Sequence, residues 1–322
     1  MSSEKPLVSV HMITYNHEKF IAQAIEGVLM QKTSFPFELV IGEDCSTDRT
    51  RKIVVDYANR YPEIIKPILH EKNVGAKANS ESVGEACTGK YVALCEGDDY
   101  WIDPLKLQKQ VDFLDSNPGF SVCFHRARIV DKFGNCLGIS KPSMKWHRPI
   151  TNLRDVLKSN YIPTQSVLYR NRGYNWEVFD TLSNGLYFGD WPLHVLNAER
   201  GDIYFINEFM SAYRLHDGGS NRSASDIRKV RDNIEFYKRL QVYFQGRIPK
   251  SFFEKCKANL LANTATTLAL KGNRGLAKEV AHYALASCRH YSPRFLGRIA
   301  KAYVAILCPF LSSMRSIKKR FH

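Results

Sequence analysis

The sequence predicts an α/β fold, a mixed and mostly parallel sheet flanked by helices, with an α-helical extension in its C-terminal third. Three observations carry this. Short apolar runs alternate with helical-period segments through about the first 120 residues, the pattern of parallel strands joined by right-handed crossovers. After Ser121 the runs shorten and turns separate them, which predicts antiparallel or mixed strands added to the same sheet. From Ser225 onward apolar residues recur at helical spacing almost without a break.

Taken in order, Leu7 to Ile13 is a strand that stops at Thr14-Tyr15-Asn16. Asn16 is expected to cap the next helix, along which Phe20, Ile21, Ala24, Ile25, Val28 and Leu29 share a face. Phe37 to Ile41 is the second strand, and Gly42 to Asp48 carries cap residues for a helix reaching about Tyr61. Ile64 to Leu69 is a third strand, which Pro67 confines to an edge because proline cannot donate to a ladder. The loop Asn73 to Lys77 and a helix to about Ala86 lead to Tyr91 to Cys95, an uninterrupted apolar run that delivers Glu96-Gly97-Asp98-Asp99 at its carboxyl end. Asp103-Pro104 then opens a helix as N-cap and N1 residue.

Beyond Ser121, Val122 to Phe124, Arg128 to Val130, Gln165 to Tyr169 and Ile203 to Ile206 read as short strands, with a turn at Gly134-Asn135. Trp191 to Arg200 reads as a helix with Asp190 at its N-cap. Four further helices are expected at Ile227 to Phe244, Ser251 to Leu270, Arg274 to Cys288 and Arg294 to Leu307. The Ala-rich pair around Ala258 to Ala286 is similar to one tetratricopeptide unit, but a single pair reads as ordinary bundle packing.

With 44% hydrophobic and 24% charged residues in 322, the chain is expected to bury a sizeable core rather than to be disordered. Its eight cysteines form no C-x-x-C pair and several sit in apolar runs, which fits a reducing compartment. Met1 to Pro6 lacks the apolar stretch of a signal peptide and no run reaches the roughly 18 apolar residues of a spanning helix, so a cytoplasmic location is expected. The net charge is +14, yet eight Lys or Arg and no Asp or Glu follow Val280. The excess is thus concentrated at one end, and no nucleic-acid partner is expected.

In a parallel sheet, ligands bind beyond the carboxyl ends of the strands. Thr14-Tyr15-Asn16, Asp44, Asn73 and the Glu96 to Asp99 cluster all fall on that edge. A lone acidic turn is ordinarily just solvated, but here four polar features converge. Three acids within four residues repel one another unless a cation or a proton offsets the charge, and oxygen ligands suit Mg2+ or Mn2+. No G-x-G-x-x-G follows the first strand, and no Walker loop, H-E-x-x-H or G-x-S-x-G occurs. Dinucleotide oxidoreductases, P-loop enzymes, zincins and serine hydrolases lose their main supports.

Val8-Ser9-Val10-His11-Met12-Ile13-Thr14-Tyr15-Asn16-His17-Glu18, Gly42-Glu43-Asp44-Cys45-Ser46-Thr47-Asp48, Asn73-Val74-Gly75 and Glu96-Gly97-Asp98-Asp99, in that order, resemble the family 2 glycosyltransferases of the GT-A (Rossmann-like) fold. The resemblance covers about Leu7 to Asn221. It implies a nucleoside-diphosphate-sugar donor, UDP first among them, a divalent metal (Mn2+ or Mg2+) and inversion at the anomeric carbon. It also implies that Thr14, Tyr15, Asn16, Glu18 and Asp44 line the nucleoside pocket, with Asn73, Gly75 and Glu96 on the donor side. Asp98 ends a D-x-D-like triplet in which Glu96 stands where an Asp is usual, so whether Asp98 or Asp99 ligates the metal stays open. Gly189-Asp190-Trp191 resembles the family's acidic motif, with Gly189 in place of the common Glu, and makes Asp190 the base for the acceptor hydroxyl. His216, before Gly218-Gly219, resembles a late His that meets the metal or the diphosphate.

On this reading residues 1–222 are the catalytic domain, with a donor half to about 120 and an acceptor half to 222, and 223–322 the helical region. The acceptor, a glycan or a lipid-linked glycan in cell-surface polysaccharide assembly, would be met by Ser140 to Asn184. His125 and His194 lack the context of His216. Trp101, Trp146, Trp176 and Trp191 read as core unless exposed, in which case they would stack on the acceptor sugar. Arg294, Arg298 and Lys301 share one helix face while Phe295, Leu296, Ile299, Tyr303, Ile306 and Leu307 populate the other. Followed by Cys308 to Leu311 and by Arg315, Lys318, Lys319 and Arg320, this basic amphipathic tail is expected to lie on the inner face of the plasma membrane, unless its apolar face serves a core. Two competing readings are a same-fold nucleotidyltransferase, whose Gly-rich basic opening is missing, and a non-catalytic basic module for polyanions, which leaves the acidic crevice unexplained.

Overall fold

The structure is a computed structural model and describes residues 5–140, 148–173, 175–219, 224–287 and 292–307. Trp146, Arg289 and the tail from Cys308 to His322, with Arg315, Lys318, Lys319 and Arg320, lie outside the described residues. Four strands, β1 (Val8–Thr14), β2 (Phe37–Glu43), β3 (Ile65–Leu69) and β4 (Tyr91–Leu94), pair in parallel around β1. Helices α1 (Ile21–Leu29), α2 (Thr50–Arg60) and α3 (Gly75–Ala86) connect them. β5 (Tyr100–Trp101), α4 (Lys106–Ser116), β6 (Phe120–Asp131), β7 (Cys136–Ile139), β8 (Ile150–Thr151), α5 (Leu153–Lys158), β9 (Leu168–Arg170), α6 (Trp176–Ser183), α7 (Asp190–Ala198) and β10 (Asp202–Leu215) follow. The sheet runs β3-β2-β1-β4-β9-β6-β10-β5, with β7 and β8 attached to β6 and β10.

β3 is the edge strand, as Pro67 requires. Val8, Val10 and Met12 of β1 are fully buried with Ile21, Ala24, Ile25 and Val28 of α1 and Leu107, Val111 and Leu114 of α4 in one apolar cluster. Fully burying such a side chain contributes roughly 1.5–3 kcal/mol, so this cluster fixes the register that carries the loops at the carboxyl edge.

Four expectations are corrected. Asn16 caps no helix: it lies four residues before Phe20, the cap position of α1, in the left-handed region (φ 55°) that Asn tolerates better than most residues. Its Oδ1 instead accepts from the Thr47 backbone N–H at 2.9 Å. The Asp103-Pro104 helix start is displaced, because the Asp103 side chain accepts from Leu105 N–H at 2.8 Å and makes a turn ahead of α4. The two short strands at Val122 to Phe124 and Arg128 to Val130 are one 12-residue strand, β6, and Ile203 to Ile206 opens the 14-residue β10, which runs parallel to it. Register shifts at Ile206/Phe209 and Phe209/Ser211 break the alternation that would have revealed β10's length. Asp190 is the first residue of α7, whose cap position is Gly189.

The chain divides into two compact units. The first holds the sheet: Met1–Val156, Asn160–Phe179 and Gly189–Gly219. The second takes Leu157–Ser159, Asp180–Phe188 and Ser220–His322, with helices α8 (Asp226–Tyr243), α9 (Lys250–Leu270), α10 (Arg274–Ala286) and α11 (Pro293–Leu307). Small residues let these helices close: Ala258, Ala262 and Ala265 of α9 are buried with Ala277, Ala281 and Ala284 of α10 and Phe295, Ile299 and Ala302 of α11. The 180–188 segment is tied to α8 by Tyr187 N–H donating to Asp232 Oδ2 at 3.0 Å and by Arg239 donating to Asn184 O at 2.7 Å. No helix among the described residues is long and apolar enough to cross a membrane.

Candidate active site

Parallel pairing points the carboxyl ends of β1, β2 and β4 the same way, and the loops that follow bond to one another. Asp44 N–H donates to Thr14 O, Gly97 N–H to Ile13 O and Asn16 N–H to Ser46 Oγ. Glu18 Oε2 accepts from Arg49 N–H at 3.1 Å, and Asp48 accepts from Glu18 N–H. Asp44, almost fully buried, accepts from Val74 N–H at 2.7 Å and Gly75 N–H at 3.0 Å, while Asn73 Nδ2 donates to Asp44 O. Hydrogen bonds to a charged group contribute about 1.5–3 kcal/mol each, so Asp44 holds the Asn73–Gly75 loop against the first two strand ends. Thr14, Tyr15, Asn16, Glu18, Asp44, Asn73 and Gly75 thus meet at one edge, where Tyr15 is 41% exposed.

The acid cluster is shaped by a pairing that spans the sequence. β5 lies antiparallel to β10 with Trp101 opposite Ser211 and Tyr100 opposite Ala212, which sets the end of β10 beside Asp98 and Asp99. Arg214 N–H donates to Asp99 Oδ1 at 2.8 Å, Arg214 Nε to Asp98 O at 2.9 Å and Arg214 Nη2 to Gln23 Oε1 at 2.6 Å. His216 Nε2 lies 2.8 Å from Asp98 Oδ2, and His17 Nε2 lies 3.9 Å from the same oxygen. Gly97 has no room for a side chain, since a Cβ there would meet Thr14 Oγ1 at 2.6 Å and His17 Nδ1 at 3.1 Å.

Electrostatics separate the three acids. Burial, with Asp98 and Asp190 nearby, pushes the Glu96 carboxyl up to about 8. Burial also raises Asp99 well above the usual carboxylate range, helped by Asp98 and Glu96 and opposed by Arg214. For Asp98 burial acts upward too, but the His216 hydrogen bond and the charges of His17 and His216 outweigh it and leave the carboxyl below its ordinary value. Burial lowers His17, and the Asp98 carboxylate works against that.

These residues fit a divalent cation. One ligand atom from each of Glu96, Asp98 and Asp99 lies within 4.8 Å of the others, and so do those of His17, Asp98 and His216. Asp99 Oδ2 is buried without a hydrogen-bond partner, an acceptor that a cation would satisfy.

Asp190 opens α7 with its carboxylate already engaged. Its Oδ2 accepts from Asn160 Nδ2 at 2.7 Å and lies 3.5 Å from Thr164 Oγ1, and its Oδ1 accepts from Trp191 N–H. Trp101 and Trp191 are core residues, their indole N–H groups donating to Gln165 O and Val156 O, and Trp176 packs against Gly84. His125 and His194 are fully buried, which lowers both, His194 to about 4. The sequence reading missed three contributors: His17, Arg214 and Asn160. His17 stood inside the Thr-Tyr-Asn-His-Glu motif and had a local signal; the other two act through contacts that only the folded chain creates.

The family model described as "Glycosyl transferase family 2" matches residues 9–179, more than half of the chain. An uncharacterized protein of Mycobacterium tuberculosis is 42% identical over 223 residues, which are 69% of this chain and 63% of that relative. The match therefore spans a little under two thirds of the relative's length. Among solved structures, Staphylococcus aureus TarS 1–349 in complex with UDP-GlcNAc is similar with a TM-score of 0.60 at 19% identity, covering 93% of this chain and 90% of that one. The mannosyltransferase PcManGT of Pyrobaculum calidifontis, in complex with GDP-Man and Mn2+, gives 0.57 at 15% identity over 95% and 88% of the two chains. At these identities the two structures show the shared fold.

Proposed function

The chain belongs to glycosyl transferase family 2, and from that premise we propose that it transfers a sugar from a nucleoside diphosphate, UDP foremost, to an acceptor hydroxyl with inversion at the anomeric carbon. The observation that carries the proposal is the meeting of the nucleoside-side loops and the acid and imidazole cluster at the carboxyl edge of one sheet. Asp190 takes the acceptor proton, its carboxylate aimed by Asn160 and Thr164. The loops at Thr14–Glu18, Asp44 and Asn73–Gly75 receive the nucleoside, and Glu96, Asp98, Asp99 and His216 face the diphosphate. A divalent ion bound there supplies positive charge against the departing diphosphate. Residues to about 120 form the donor half and those from 121 to 222 the acceptor half, with a cell-surface glycan or its lipid-linked precursor as acceptor. The two bound neighbours, one with UDP-GlcNAc and one with GDP-Man and Mn2+, support a nucleotide-sugar donor and a metal.

The proposal extends to place. Leu296, Val304 and Leu307 of α11 are exposed beside Arg294 and Lys301, which favours docking on an anionic cytoplasmic membrane surface.

Incubation with a panel of UDP-, GDP- and dTDP-sugars and Mn2+ tests the reaction. Release of nucleoside diphosphate from at least one donor is expected. Pyrophosphate released from nucleoside triphosphates instead would identify a nucleotidyltransferase. Salt-sensitive binding of polyanions with no donor turnover would leave only the basic module.

A further inference from the structure

The geometry points to His17 as a metal ligand: His17 Nε2, Asp98 Oδ2 and His216 Nε2 form a two-imidazole, one-carboxylate site that prefers Mn2+ and later transition ions to Mg2+. The inference rests on the metal-assisted reading above and deepens it by naming the donors and the class of ion.

Both imidazoles turn the same atom toward one oxygen. His216 Nε2 is at 2.8 Å and His17 Nε2 at 3.9 Å from Asp98 Oδ2, with the ring planes 86° apart and all three donors within 4.8 Å. The rings come from different chain segments, one from the loop after β1 and one from the end of β10, so neither owes its position to the other's segment. The far side of His17 is held as a ligand's ring should be. Its Nδ1 lies 3.2 Å from Thr14 Oγ1, and an Nδ1–H donated there leaves the Nε2 lone pair facing Asp98. Gly97 completes the fixing, because a side chain at that position would strike both Thr14 Oγ1 and the His17 ring.

Asp99 commits one of its two oxygens to the fold, while its Oδ2 has no hydrogen-bond partner. Its Oδ1 is taken by Arg214 N–H, and that guanidinium spans Asp98 O and Gln23 between the Phe20 and Tyr100 rings. Asp99 Oδ1 therefore positions β10, and with it His216, while Asp98 is the carboxylate that both imidazoles face. With three protein donors, an ion held there would keep room for diphosphate oxygens and water. Imidazole donors favour Mn2+ and Co2+ over Mg2+, whereas the all-oxygen set Glu96, Asp98 and Asp99 would hold Mg2+ and Mn2+ much alike.

Binding of Mn2+ to the full chain without donor or acceptor, followed by the loss of free-ion paramagnetic resonance and repeated with Mg2+ in competition, tests the site. Wild type is expected to take Mn2+ in clear preference to Mg2+. His17→Gln should weaken Mn2+ binding at least about tenfold and narrow the preference, Thr14→Val should weaken it less, and His17→Asp should restore binding with the preference moved toward Mg2+. Thermal melts establish that each variant is folded, and if His17→Gln is not, His17→Asp and the wild-type preference still decide. Unchanged Mn2+ affinity in His17→Gln, with binding lost in Asp98→Asn, would overturn the assignment of His17. Equal wild-type affinity for the two ions would overturn the imidazole site. Neither result touches the transfer reaction, which the nucleoside diphosphate assay reads separately.

Discussion

Residues whose chemistry is local were the legible ones. Asp44, Asn73 and the acid cluster announce themselves as polar breaks at the ends of apolar runs, and the structure brings them to one edge. Arg214 and Asn160 were not legible, because each acts on a residue tens of positions away and nothing in its own neighbourhood marks it. Lys106 was hidden for the opposite reason, being a charge on the buried face of α4. It is fully buried, with Nζ 2.8 Å from Gln110 Oε1 and 3.9 Å from the centre of the Trp101 ring. Burial lowers it from 10.5 to about 7, although Cys95 and Cys123 act the other way. Between those values the unfolded chain holds a proton that the native protein has released, so this group makes stability rise with pH across that window. Below about 7 both states are charged, and above 10.5 neither is, so the effect flattens. Lys106→Met should remove the dependence: the stability difference between variant and wild type, from denaturant titrations at several pH values, should shrink by up to about 1.4 kcal/mol per pH unit on going from 7 to 10.5. A difference flat in pH would mean that Lys106 stays charged in the folded state.

At the scale of elements, the parallel half of the sheet was legible because each of its strands is a clean apolar run next to a helical period. The full lengths of β6 and β10 were not, since Arg126 in the one and Asn207 and Glu208 in the other interrupt their patterns and the pairing slips at Ile206/Phe209. α11 shows how one amphipathic helix serves two demands. Phe295, Ile299 and Ala302 are buried with α9 and α10, and Arg298 Nη1 donates to Asn259 Oδ1 at 2.9 Å, so part of each face belongs to its own bundle. Leu296 is 47%, Val304 49% and Leu307 74% exposed, and the proposed membrane contact falls to them. Deleting the helix would uncover the bundle core, so point changes are the cleaner test. Full-length protein is expected to float with anionic liposomes at low salt, and Leu296→Ser with Leu307→Ser should reduce that severalfold at an unchanged melting temperature. A wild type that stays with the soluble fraction would leave α11 a purely structural helix.

For the molecule as a whole, the helical unit begins before the sheet unit ends. Asp180–Phe188 belongs with α8, through Tyr187 and Asn184, and Asp190 follows two residues later as the first residue of α7 in the sheet unit. A reading along the chain expects one boundary near 222, because it has no means of seeing a segment that leaves one unit and returns. We propose Asp190 as the base in a single inverting displacement. The most direct measurement compares wild type and Asp190→Asn with the same nucleotide sugar, titrating donor binding by calorimetry and timing nucleoside diphosphate release. General base catalysis contributes about 10²–10⁴-fold, so the variant should bind donor as wild type does and release diphosphate at least about a hundredfold more slowly. Release at close to the wild-type rate would exclude Asp190 as the base.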